Sequence, residues 1–136
     1  MTHQLTLSLG SNQHPREVRV REAIAWLFTQ LSHATVSDVY ETPEIHGIGC
    51  PYMNAVVTGS IDADTDDFNA MLKEFELSHG RDMESRKRGC VPIDLDIVMC
   101  DGDVVRPRDF SHSFFQIGYR QIAGEDSSTN RLKLPD

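Results

Sequence analysis

The chain is 136 residues long, the length of a single domain, and a domain of that size buries roughly two-thirds of its unfolded surface. Hydrophobic residues at 39% and charged residues at 25% exclude a disordered, collagen-like or disulfide-dense class. Acidic residues number 21 against 13 basic ones, a formal charge of -8 with histidines neutral, which is the wrong sign for a nucleic-acid backbone or an anionic membrane as partner. An anionic ligand must be met locally, by a few basic side chains, helix ends or a metal ion.

Cys50, Cys90 and Cys100 form no Cys-x-x-Cys pair, and His46 has no zinc spacing with them, which suits a reducing compartment. Residues 1–5 hold no basic region leading into an apolar core, and no apolar run approaches membrane-spanning length, so a cytoplasmic protein is expected. Leu5, Leu7 and Leu9 alternate with Thr6 and Ser8, predicting a strand over 4–9 that stops at Gly10-Ser11-Asn12. Pro15 suits the first turn of a helix whose apolar stripe is Val20, Ala23, Ile24, Leu27, Phe28 and Leu31. Residues 34–40 read as a strand broken by Thr42-Pro43, and 52–61 as an apolar strand with Asn54 an intruder. Thr65 is placed as the N-cap of a second helix, with Phe68, Met71, Leu72 and Phe75 as its stripe and Gly80 near its end. Residues 91–100 form the last strand, with Ile93, Leu95, Ile97 and Met99 on one face and Asp94, Asp96, Val98 and Cys100 on the other.

The order β-α-β-β-α-β predicts an α+β, ferredoxin-like antiparallel sheet with helices on one face and the other open. One domain is expected over residues 1–122, followed by a polar, mobile tail over 123–136. Asp94 and Asp96, two apart on a strand, point the same way, and hard carboxylate oxygens that close suit Mg²⁺ with a substrate phosphate. A solvated strand face would carry the same pair. Upstream, residues 80–89 hold Arg81, Arg86, Lys87 and Arg88, which could neutralise a polyphosphate or form a solvated loop. Asn54 and Thr42-Pro43 could floor a pocket for a flat heterocycle, with Tyr52 and Tyr40 stacking on it. His112 could contact phosphate or simply lie at the surface.

In this order, Leu9-Gly10-Ser11-Asn12, Tyr40-Glu41-Thr42-Pro43, Pro51-Tyr52-Met53-Asn54-Ala55-Val56, Phe75-Glu76-Leu77 through Gly80-Arg81, and Ile93-Asp94-Leu95-Asp96-Ile97 resemble the 6-hydroxymethyl-7,8-dihydropterin pyrophosphokinase family. The resemblance implies diphosphate transfer from ATP to a pterin alcohol in folate biosynthesis, with AMP released. It implies that Asp94 and Asp96 hold two Mg²⁺ ions on the ATP phosphates, with Arg86 and Lys87 as the basic residues of the phosphate loop. It further implies a pterin pocket of Thr42, Pro43, Tyr52 and Asn54, and nucleotide contacts from Glu76, Arg88 and His112. ATP and a pterin are the expected partners, with no nucleic acid and no membrane; the sequence fixes no oligomeric state.

The departures from the family pattern fall in the phosphate loop. Arg88 stands where the family has a stacking tryptophan, Val91 where it has an arginine before the aspartates, and Met83 at a second basic position. Ser111-His112-Ser113 replaces a proline-flanked histidine, and the arginine, aromatic and leucine-proline segment expected next find no counterpart after Phe115. The expectation is a divergent pyrophosphokinase, slow or degenerate, with a noncatalytic pterin- or nucleotide-binding relative as the alternative.

Overall fold

A computed structural model of the chain describes residues 1–124. Its centre is strand β1 (His3–Ser11), followed by helix α1 (Arg16–Gln30), β2 (Ser32–Val36), β3 (Tyr40–Thr42), β4 (Tyr52–Ile61) and helix α2 (Thr65–Ser78). Then come α3 (Met83–Lys87), β5 (Asp94–Cys100), β6 (Asp103–Val104), α4 (Pro107–Phe110) and α5 (Ser113–Ala123). The sheet runs β2-β4-β1-β5-β6 with β3 also beside β4, and every pairing is antiparallel. This is the α+β, ferredoxin-like arrangement. Leu5, Leu7 and Leu9 meet Val20, Ala23 and Leu27 of α1 and Phe68, Leu72 and Phe75 of α2 in the main core. No helix among the described residues is long and apolar enough to cross a membrane.

Three local expectations change. The strand expected over 34–40 is two strands, because the ladder is interrupted at Ser37: its N–H still donates to Val56 O, but its Oγ accepts the Val56 N–H, each at 2.9 Å, in place of a backbone carbonyl. The cap of α2 is Asp64 and not Thr65, its Oδ1 accepting the Asp66 N–H at 2.7 Å, and Pro15 caps α1 from just outside its first turn. The basic segment contains the short helix α3, started by a reciprocal box in which Asp82 accepts from Ser85 N and Ser85 Oγ accepts from Asp82 N. Five residues without an apolar stripe give no periodic signal.

The larger correction concerns the second sheet face, which is not open throughout. Helix α5 lies on it, burying Phe115 completely against Val56 and Val98, with Phe110, Tyr119 and Ile122 around them. Phe114, Phe115, Gly118, Tyr119 and Ile122 are the helical stripe that the sequence reading passed over. The alternation of the last strand also breaks. Leu7 pairs with Ile97 but Thr6 pairs with Met99, so Val98 is an extra residue, a bulge. Beyond it Met99 joins Val98 against the α5 cluster, and Cys100 turns to the main core. Of the tail expected over 123–136, Ala123 ends α5 and Gly124 caps it at φ 74°; the remainder lies outside the described residues.

Tyr40 holds α5 in place. Its hydroxyl donates to Phe114 O at 2.6 Å and accepts from Gly118 N at 3.0 Å, the two groups that one helical turn pairs together. Tyr40 is thus a pin and not the stacking ring expected of it. Burial pushes its phenol up to about 12 from 10.0, against the lowering effect of the Gly118 N–H. The unfolded chain loses this proton first, so the phenol's contribution is complete below about pH 10 and disappears as pH rises through about 12. Tyr40→Phe should therefore flatten the loss of stability between those values and cost about 1–2 kcal/mol at neutral pH, as urea titrations at several pH values would measure.

Candidate active site

Sheet register builds the site. Tyr40 pairs with Asn54, Asn54 with Gly10, and Gly10 with Asp94, one rung across β3, β4, β1 and β5. Directly paired residues share a face, so Asn54 and Asp94 look the same way across a residue with no side chain. With strands about 4.8 Å apart, the gap between their backbones is roughly 10 Å. A Cβ on Gly10 would intrude, at 3.3 Å from Asn54 Oδ1 and 3.4 Å from the Tyr52 ring.

The resulting cavity, of about 230 Å³, is floored by Ser8, Gly10, Asn54 and Asp94 and rimmed by Thr42, Pro43, Ile45 and Tyr52. Its far wall is Arg108 and Asp109 of α4, His112 at the start of α5, and Phe114. Asn54, 2% exposed, donates its Nδ2 to Thr42 Oγ1 at 2.8 Å and to Tyr40 O at 3.2 Å, which fixes the amide orientation. Burial, then the charges of Asp94 and Glu44, raises the Tyr52 phenol above its ordinary value, so it enters the site neutral.

Asp94 also borders a second hollow of about 480 Å³, a trough lined by Lys73, Glu76, Arg81, Arg86, Asp96 and Arg106. Glu76 organises it from α2. Its side chain is 6% exposed, and it accepts the Leu95 N–H at 2.8 Å, an edge peptide that no strand pairs on that side. The same carboxylate receives Lys73 Nζ at 3.1 Å and Arg81 Nη1 at 3.2 Å. Lys73 continues to Asp96 Oδ1 at 3.0 Å, Arg81 to Asp94 Oδ1 at 2.7 Å, and Arg106 stands 3.9 Å from Asp96. Burial and the neighbouring Asp94 raise the Asp96 carboxyl, outweighing the pull of Lys73 and Arg106. Burial also opposes the charges of Lys73 and Arg81, but their carboxylate partners raise both overall. Glu76→Gln keeps the shape and an acceptor for Leu95 while leaving two half-buried cations short of a counter-charge. It should cost about 2–3 kcal/mol in chemical denaturation.

The structure thus groups Thr42, Pro43, Tyr52, Asn54 and His112 around one hollow and Glu76, Arg86 and Asp96 around the other, with Asp94 common to both. It does not bring Lys87 or Arg88 to the aspartates: both are exposed, Lys87 at the end of α3 and Arg88 as its C-cap, and Arg88 turns back to Glu84 at 3.5 Å. Lys73, Arg106, Gly10 and Phe114 are additional. Glycine 10 stood in a quoted motif, but Lys73 and Arg106 carried no sequence signal, since they reach Asp96 from separate elements. Among the described residues, His3, Cys100 and Asp101 also lie within 4.8 Å of one another. Asp101 there fastens the turn after β5, accepting from Gln4 N and meeting His3 Nδ1, each at 2.8 Å.

Two hard carboxylates beside basic side chains fit a divalent cation carrying phosphate. Compared with family models, residues 6–132 match the one described as 7,8-dihydro-6-hydroxymethylpterin-pyrophosphokinase (HPPK). The matched span continues past Phe115. A comparison with curated proteins gave no match.

Proposed function

The chain belongs to the 7,8-dihydro-6-hydroxymethylpterin-pyrophosphokinase family, and on that premise we propose that it transfers diphosphate from ATP to the hydroxymethyl group of 6-hydroxymethyl-7,8-dihydropterin in folate biosynthesis, as a cytoplasmic enzyme. The observation that carries the reading is Asp94, shared by a small ring-sized cavity and a cation-lined trough. An acceptor seated in the first presents its alcohol toward phosphates lying in the second.

Asn54, held by Thr42, offers its amide to the ring edge, while Tyr52, Pro43 and Phe114 bound the ring. Arg86, Arg81 and Arg106 face the triphosphate, and His112 borders the cavity beside Phe114, their rings stacked at 5.3 Å. Asp94 would hold Mg²⁺, with Asp96 beside it paired to Lys73, and the ion when bound would supply charge neutralisation on the phosphates. The alcohol oxygen bonds to the β-phosphorus as the bridge to the α-phosphate breaks and AMP departs. No protein nucleophile is needed, and the rate comes from alignment and electrostatics.

Incubation with the dihydropterin alcohol, ATP and Mg²⁺ should release AMP and no ADP. A second reading, a noncatalytic binding relative, draws on the pairing of both aspartates with internal cations and on Arg88 and Val91 in the phosphate loop. Pterin binding by calorimetry with AMP at background would favour it and overturn the transferase.

A further inference from the structure

The two carboxylates of the trough differ in how firmly they are engaged. Lys73 Nζ has three acceptors within 3.1 Å: Leu95 O at 2.8 Å, Asp96 Oδ1 at 3.0 Å and Glu76 Oε2 at 3.1 Å. An ammonium has three N–H donors, so every one is satisfied. Two of these partners are nearly enclosed, the Glu76 side chain being 6% exposed and that of Asp96 13%. Together Glu76 and Lys73 close both ends of the Leu95 peptide, one taking its N–H and the other donating to its carbonyl. Asp94 is different. Its side chain is 38% exposed, it borders both hollows, and its partner Arg81 divides one Nη1 among Asp94 at 2.7 Å, Glu76 at 3.2 Å and the Ile93 carbonyl at a long 3.4 Å.

We propose that Lys73 is a resident cation of this site: it stays on Asp96 when nucleotide binds, takes the place of one of two divalent ions, and leaves the chain to bind a single ion with ATP, at Asp94. The inference rests on the nucleotide reading given above. A divalent ion at Asp96 would have to displace a fully bonded ammonium or sit against its charge a few ångströms away in a half-buried trough, where like charges repel strongly. The ammonium supplies charge and hydrogen bonds in a fixed place but imposes no octahedral ligand set, so the chain meets the phosphates with one metal ion and a side chain.

The test is Mn²⁺ binding followed by electron paramagnetic resonance, with α,β-methylene-ATP equimolar to the chain; this analogue lacks the bridging oxygen at the bond the reaction breaks. Wild type should bind one Mn²⁺ per chain, with no dipolar broadening. Lys73→Gln should bind two, close enough to broaden each other's signal, and Lys73→Arg, which keeps the charge, should bind one. Two ions in wild type, or one in a folded Lys73→Gln, overturns the resident cation and leaves the transferase reading standing. Failure of the analogue to bind wild type by calorimetry overturns both.

Discussion

Replacing Asp94 by asparagine should lower AMP release about a thousandfold, equivalent to roughly 4 kcal/mol of barrier, while leaving the fold intact. The side chain is the one carboxylate bordering both hollows, and the one not held by a fully bonded ammonium. Its loss therefore removes the oxygen best placed to carry a metal ion between the acceptor cavity and the phosphates. The structural cost is small because Asp94 is 38% and Arg81 31% exposed, and ion pairs open to water contribute about 1 kcal/mol or less. Single-turnover AMP release beside a urea unfolding curve separates the two effects. An enzyme that retains a tenth of its rate would sink the assignment of Asp94 as the shared ligand. Asp96→Asn should act differently, lowering the rate through Lys73, which would lose one of its two anionic partners but keep Leu95 O and Glu76.

What the sequence made legible follows from which interactions are local in pattern. Alternating Leu5, Leu7 and Leu9 and the stripes of Val20 to Leu27 and Phe68 to Phe75 fall on the core as period 2 and period 3.6 require. The spacing of Asp94 and Asp96 fixes a common face, and the register bears it out, since they stand opposite Gly10 and Ser8 of β1. The same rule failed three residues after Asp96, at Met99, because the bulge at Val98 has no residue signature and resets the alternation behind it. Helix α5 was not legible although its stripe is present, since Ser111, Ser113 and Gly118 dilute it and the β-α-β-β-α-β order is complete without it. The trough was legible only in halves. Both aspartates and Arg86 lie close in sequence, but Lys73 comes from α2 and Arg106 from the turn before α4, and nothing in either segment marks a side chain that reaches a strand edge. Lys87 and Arg88 show the converse, since nearness in sequence put them with the site and the turn of α3 carried them away.

The second large effect lies at a residue that touches neither hollow. Gly118 is where α5 comes closest to the sheet: a Cβ there would stand 2.7 Å from Val56 Cγ2, 2.8 Å from Ser37 Oγ and 2.9 Å from Tyr40 Oη. None of these can yield cheaply, because Val56 is fully buried, Ser37 Oγ carries the Val56 N–H, and Tyr40 is the pin of α5 itself. Gly118→Val should destabilise the chain by about 3 kcal/mol, the upper part of the range for overpacking, even though valine is intrinsically the better helix residue. The helix would be pushed outward, taking Phe114 and His112 from the cavity wall while the trough, built from α2, β5 and Arg106, keeps its geometry. Pterin affinity should then fall at least tenfold with nucleotide affinity nearly unchanged, a split that calorimetry with each ligand would reveal. Equal losses for both ligands would mean that α5 supports the whole sheet and not the acceptor cavity alone, and unchanged stability would mean that the close approach at Gly118 is not what seats the helix.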